Sequence, residues 1–218
     1  MKAAHPHRRR AFTVIELLVM IFTVVMLLVL LLSGVPRVRN EARLKKCVNN
    51  LKQVGLAFRV WAGDSGVRFP TQIPISRDGS MESITNGEVF RTFQIMSNEL
   101  NFRASLLICP SDNRTAARDF GTGLANSNVS YFVGADATDT EPNLFLSGDR
   151  NLTNGPLSST RLLTLTTNSA PGWTEGIHNL VGNVGLADGS VQTFDTLQVQ
   201  NATRVMGNSI LTNRLAFP

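Results

Sequence analysis

His178 and Asp188, with Gly189 behind it, are the residues whose types and spacing most invite a chemical reading of this 218-residue chain. A histidine and an aspartate bracketing a hairpin can work as an acid/base pair, as two metal ligands, or as a structural hydrogen-bonding pair. The structural reading is the strongest. Asp188 stands where an Asp-Gly turn wants a side chain that bonds its own backbone, and an imidazole opening a strand can close onto a loop carbonyl. A metal would need a third ligand, and none stands at a diagnostic spacing. Cys47 and Cys109 lie 62 positions apart. They are either two buried thiols or, in an oxidising compartment, one disulfide, worth ~4 kcal/mol in the chain-entropy picture. Two cysteines without a neighbouring histidine do not close a zinc site. Gly63-Asp64-Ser65-Gly66 spells the surroundings of a serine nucleophile, but such a serine needs a histidine base and an oxyanion hole. His5 and His7 lie near the N-terminus, only His178 remains, and the tetrapeptide reads as the stop of a helix. Phosphate loops, His-Glu-x-x-His and dinucleotide fingerprints are missing from the sequence. No catalytic residue, cofactor site or metal ligand is assigned.

The charge is distributed in a way that argues against a nucleic-acid partner. The chain carries a formal net charge of +5, yet Lys2, Arg8, Arg9, Arg10 and the cluster from Arg37 to Lys52 supply it. Residues 53–218 hold 11 basic and 14 acidic side chains. A basic nucleic-acid-binding domain does not look like that.

Between the two basic clusters, Leu17–Val35 is a run of 19 residues without a charge, close to the ~20 that cross a bilayer as a helix. Glu16 stands at its edge, where a carboxylate is costly and marks a partner or a function. Cleavage between Ala11 and Phe12 would give Phe12 a new α-ammonium near the depth of that carboxylate. A neighbouring copy's ammonium could then neutralise Glu16 inside an apolar bundle and set the register between copies.

Arg8-Arg9-Arg10-Ala11, then Phe12-Thr13-Val14-Ile15-Glu16, then the apolar run, together resemble the N-terminus of the type IV pilins and type II secretion pseudopilins. The resemblance implies that a prepilin peptidase cuts before Phe12 and methylates its amine, and that Glu16 is required for assembly. Ala11 departs from the glycine usual in that family. Further on, Cys47 to Phe58, Gly66 to Pro70, Cys109-Pro110-Ser111-Asp112 and Ser130 to Gly134 look like pseudopilins related to protein G of type II secretion. The spacing from His178 to Asp188-Gly189 looks like the prepilin-type proteins named for an H-X9-DG motif.

The remaining chain supplies the elements that must position these residues. Leu44, Cys47, Val48, Leu51, Val54, Phe58 and Trp61 recur at steps of three and four, predicting an amphipathic helix that needs a domain to pack against. Gly34 and Pro36 should loosen the helix before it. A short helix is expected within Glu88–Leu100, and strands at Val129–Gly134, Arg161–Thr167, Val181–Ala187 and Ser190–Phe194. The last two flank Asp188-Gly189, a hairpin signal. The loops Gly134–Asn143 and Asp149–Pro156 read as long and polar.

The expected fold is therefore α+β: a long N-terminal transmembrane and amphipathic helix packed against a small antiparallel-sheet head. The expected organisation is a cleaved leader at 1–11, a membrane helix at 12–35, its amphipathic continuation at 36–62 and a head at 63–218. What the resemblance implies is a structural subunit, not an enzyme, of a pilus or pseudopilus. Its partners would be the peptidase/methylase, other pilin-like subunits and the membrane, with the N-terminus in the cytoplasm and the head outside. The alternative is an anchored extracytoplasmic binding module that does not polymerise. Some secretion pseudopilins bind calcium, and loops such as Asp136–Glu141 offer oxygens, but no ligand pattern here makes a site.

Overall fold

The computed structural model describes residues 12–66, 68–206 and 212–218. Residues 1–11, the expected leader, lie outside them, and with them Ala11, the residue before the expected cut. Two compact units divide the chain, residues 1–41 and 42–218, and each is taken by itself.

The first helix, α1 (Val14–Asp64), belongs to both. In the first unit its backbone is assigned helical through Gly34 and Pro36. Every residue from Phe12 to Leu30 is exposed. Phe12 shows 71% of its surface, Val14 76% and Leu30 62%. A membrane-spanning helix over 12–35 is not found: among the described residues no helix is long and apolar enough to cross a membrane.

In the second unit α1 is amphipathic. Cys47, Leu51, Val54, Phe58 and Trp61 are buried on one side while Leu56 and Val60 are exposed. The helix ends at Asp64, and Gly66 follows with φ +88°, the left-handed conformation in which a glycine readily terminates a helix. Short helices α2 (Met81–Thr85) and α3 (Val89–Ile95) come next. The strands are β1 (Tyr131–Gly134), β2 (Phe145–Asp149), β3 (Leu152–Thr153), β4 (Leu162–Thr166), β5 (Gly172–Trp173), β6 (Gly182–Leu186) and β7 (Val191–Phe194). Helix α4 (Thr196–Met206) and strand β8 (Thr212–Ala216) complete the order.

Six strands form one antiparallel sheet, β4-β8-β1-β2-β6-β7, and β3 pairs with β5 in a second, two-stranded one. The fold is α+β, with the helix packed on an antiparallel sheet. Phe58 of α1 meets Phe69 and Phe93 edge to face, at 5.8 and 6.4 Å between centroids. The same core takes in Phe132, Phe145, Leu146 and Val184 of the sheet. That burial is what the apolar stripe of the helix required.

The four expected strands appear, each trimmed by one or two residues. Helix α3 fills the first part of its expected span. Four strands and two helices, α2 and α4, were not expected. Among them β3 falls in Asp149–Pro156, which had read as a loop, and β8 lies between β4 and β1, well inside the sheet.

Candidate functional site

Strands β6 and β7 join through the expected turn. Leu186 N–H donates to Ser190 O at 2.8 Å and Gly189 N–H to Leu186 O at 2.9 Å. The Asp188 carboxylate accepts from Ser190 N–H at 2.7 Å, the local bond that makes Asp a turn residue. Gly189 has φ +87°, which a side chain would strain. The outer side of this turn rests on α1. Arg59 donates to Asp188 O at 2.6 Å, and a methyl placed on Gly55 would stand 3.9 Å from Gly189 Cα.

His178 does not pair with Asp188, and it neither opens a strand nor closes onto a loop carbonyl. Strand β6 begins only at Gly182. The imidazole turns inward instead, with 5% of its side chain exposed, and its Nε2 lies 3.5 Å from Asp149 Oδ2 and 3.2 Å from Cys109 Sγ. Cys109 is joined to Cys47 of α1 in a disulfide with the two Cα atoms 5.0 Å apart. Asn50, one turn along α1, donates to Ile108 O at 3.0 Å. The H-X9-DG segment is therefore stitched to α1 at two places: its histidine against the disulfide at Cys47, its Asp-Gly turn against Gly55 and Arg59.

The premise that no histidine stands near the cysteines is overturned. Cys47, Cys109 and His178 have their sulfur and nitrogen atoms within 4.8 Å of one another. In the sequence His178 is 69 positions from Cys109, so no spacing rule could have joined them.

Asp149, at the end of β2, is the residue the sequence reading missed. It is fully buried. Its Oδ2 accepts from the backbone N–H and the side-chain amide of Asn183 on β6, both at 2.8 Å. The Asn183 side-chain oxygen Oδ1 in turn accepts from the Thr193 hydroxyl at 2.7 Å. A polar chain thus runs from β7 through Asn183 and Asp149 to His178 and the disulfide. Asp149 Oδ1 is buried with no partner, a costly state for a polar atom. Burial pushes the Asp149 carboxyl up to about 7, against the pull of the Asn183 hydrogen bonds. Burial pushes His178 down to about 4. Between those values both groups are uncharged.

A second acid borders this cluster. Arg150 grips Asp112 with two hydrogen bonds, 2.8 and 2.7 Å. Burial raises the Asp112 carboxyl, but the hydrogen bonds and charge of Arg150, with the Asn113 N–H, outweigh it and hold the group below its ordinary value. Asp112 is thus an ion-paired carboxylate, whereas Asp149 is a buried acid whose neutral form is favoured below about pH 7.

The start of α1 uses its own acid differently. Thr13 N–H and the Thr13 hydroxyl both donate to Glu16 Oε2 at 2.9 Å, and Glu16 N–H reaches the Thr13 hydroxyl oxygen at 3.3 Å. This is a reciprocal capping box, Thr-x-x-Glu, which satisfies backbone donors that a helix start leaves open. The signal was present in Thr13-Val14-Ile15-Glu16. An open groove of about 430 Å³ lies between the sheet and α4, lined by Phe145, Leu186, Phe194, Val205 and the amides of Gln192 and Gln198.

Compared with protein-family models, curated proteins and solved structures, the chain matches none of them.

Proposed function

We propose that the chain is a prepilin-like structural subunit, processed between Ala11 and Phe12 and assembled through its N-terminal helix into a pilus or secretion pseudopilus. The observation that carries this reading is the exposed apolar surface of α1. Residues 14–30 hold only one charged side chain, Glu16, yet every one of them faces outward. A helix apolar on all sides belongs in lipid or among other helices. The uncharged run continues to Val35 in the sequence, which favours a single span in the cytoplasmic membrane before assembly. The basic leader would stay inside and the head would lie outside. Helix–helix packing would replace the lipid once the filament forms. In this reading the chain is the substrate of a peptidase and methylase, and its polar groups serve structure rather than catalysis.

Two measurements test it. The N-terminal peptide of the protein from cells carrying a prepilin peptidase should begin at Phe12 with one methyl on its amine. Glu16→Ala should abolish or strongly reduce filament assembly while leaving residues 42–218 folded. An intact leader, or assembly of Glu16→Ala at the wild-type level, would overturn the reading. The alternative, an anchored binding module, draws on the groove beside α4, whose aromatic floor and amide rim suit a ligand with an apolar body. Crosslinking that finds heterologous partners and no homo-oligomers would place it first.

A further inference from the structure

We propose that in its dithiol state the chain binds one Zn²⁺ through Cys47, Cys109, His178 and Asp149. Three of the four donor atoms already stand within 4.8 Å of one another. A tetrahedral zinc with bonds of ~2.0–2.3 Å sets its ligand atoms ~3.3–3.8 Å apart, so the sulfurs must part from each other, and Asp149, which lies outside that group of three, must bring an oxygen toward them. The fourth donor is Asp149, whose Oδ2 stands 3.5 Å from His178 Nε2. Its Oδ1 is buried without a partner, and a cation is the partner that such an oxygen lacks. Asn183 holds the carboxylate in place with two hydrogen bonds to Oδ2, the outer-shell support that zinc ligands use. The segment that carries His178 lies at the surface. Thr174, Glu175, Gly176, Asn179 and Leu180 are exposed, so the imidazole sits on a surface layer over the cluster.

Disulfide and zinc site are alternatives for the same two sulfurs. A trialkylphosphine opens the disulfide by giving its electron pair to one sulfur as the S–S bond breaks. Water then supplies the oxygen of the phosphine oxide, and its two protons go to the sulfurs. Zinc displaces both thiol protons as two Zn–S bonds form.

The test uses the full chain in detergent micelles, reduced with a trialkylphosphine under anaerobic conditions and titrated with Co²⁺ alone, then Zn²⁺ alone. The expected result is one Co²⁺ per chain, with sulfur-to-cobalt charge-transfer absorption and the intense visible bands of a tetrahedral site. Zinc should displace it, and the disulfide form should show neither signal. His178→Ala should weaken Zn²⁺ binding by more than the ~10–100-fold that loss of an outer-shell partner costs. His178→Cys, which restores a ligand, should recover the tetrahedral spectrum with stronger charge transfer. Asp149→Asn should weaken zinc binding and alter the visible bands.

The proposal is overturned if reduced wild-type chain gives no charge-transfer band at one equivalent of Co²⁺. Equal zinc affinity in wild type and His178→Ala would also overturn it. So would a reduced chain that loses its native circular dichroism and does not regain it with zinc.

Discussion

Residues 12–30 and residues 42–218 solve the same problem, a carboxylate among apolar residues, in opposite ways. At the start of α1 the acid, Glu16, is exposed and taken up by donors three residues away, so its satisfaction costs no tertiary structure. In the larger unit the acid, Asp149, is fully buried, held by Asn183 from another strand, and lies beside a histidine and a disulfide. The apolar side chains follow the same division. Those of residues 12–30 are exposed, while Phe58, Phe132 and Phe145 are completely buried. The larger unit therefore has a core of its own, whereas the apolar side chains of residues 12–30 are exposed.

The disulfide gives the largest test of that division. Replacing Cys47 and Cys109 together by alanine releases a 62-residue loop and should cost about 4 kcal/mol of unfolding free energy. Both tryptophans, Trp61 and Trp173, lie in the larger unit, so urea denaturation followed by their fluorescence isolates it. The midpoint should fall steeply while residues 12–30 keep their helical amide-exchange pattern. An unchanged midpoint would mean that the core alone holds α1 to the sheet.

A smaller effect follows from the buried acid and imidazole, and its sign differs between them. His178 titrates near 4 in the folded chain instead of 6.5, so between those values the unfolded chain binds more protons and stability is lost as pH falls. Asp149 titrates near 7 instead of 3.8; the folded chain there binds more protons, and stability is lost as pH rises. Each slope is at most about 1.4 kcal/mol per pH unit, and in the disulfide-bonded wild type they oppose each other from about 4 to 6.5. Asp149→Asn should therefore make stability rise with pH across that window. His178→Asn should make it fall from about 4 to about 7. Urea midpoints at fixed ionic strength read both, and parallel profiles in the two variants would sink this account of the pair.

How far the sequence could be read depends on whether the signal was local. Strands β1, β4, β6 and β7 and the Asp188-Gly189 turn declared themselves through short apolar runs and turn chemistry. Strand β2 did not: buried throughout, it reads Phe-Leu-Ser-Gly-Asp, and its Ser147 and Asp149 look like loop residues until their cross-strand surroundings are known. Strand β8 was hidden by Arg214, whose charge is met by Asp136 at 2.6 Å from 78 positions away. Helix α4 reads as polar on average, Thr-Leu-Gln-Val-Gln-Asn, although it turns Val199, Ala202 and Thr203 toward the core. The candidate site follows the same rule. The turn half of the H-X9-DG segment was legible because its bonds are local, and the histidine half was not, because only the topology brings His178 to Cys109.

The contact between that turn and α1 should show an effect smaller again. Arg59→Met removes the charged donor from Asp188 O but keeps most of the side chain's length, and should cost about 1 kcal/mol because the bond is exposed. Gly189→Ala should cost ~1–2 kcal/mol for the left-handed backbone, and somewhat less in the Arg59→Met background, since the added methyl meets the Arg59 side chain at 3.2–3.3 Å. Additive costs in the double variant would mean that the turn does not lean on Arg59.

The smallest effect on folding separates the two roles that Glu16 can hold. As the acid of a capping box it needs only an acceptor, which glutamine also offers. As the group that meets a neighbour's ammonium it needs a charge. Thr13→Val breaks the box and should speed amide exchange in the first turn of α1 a few-fold, with the tryptophan-monitored midpoint unmoved and assembly retained. Glu16→Gln should keep the first turn protected and lose assembly. The crossed result, assembly lost in Thr13→Val and kept in Glu16→Gln, would assign Glu16 to the helix start alone. The exposed apolar helix would then need another device to set register between copies.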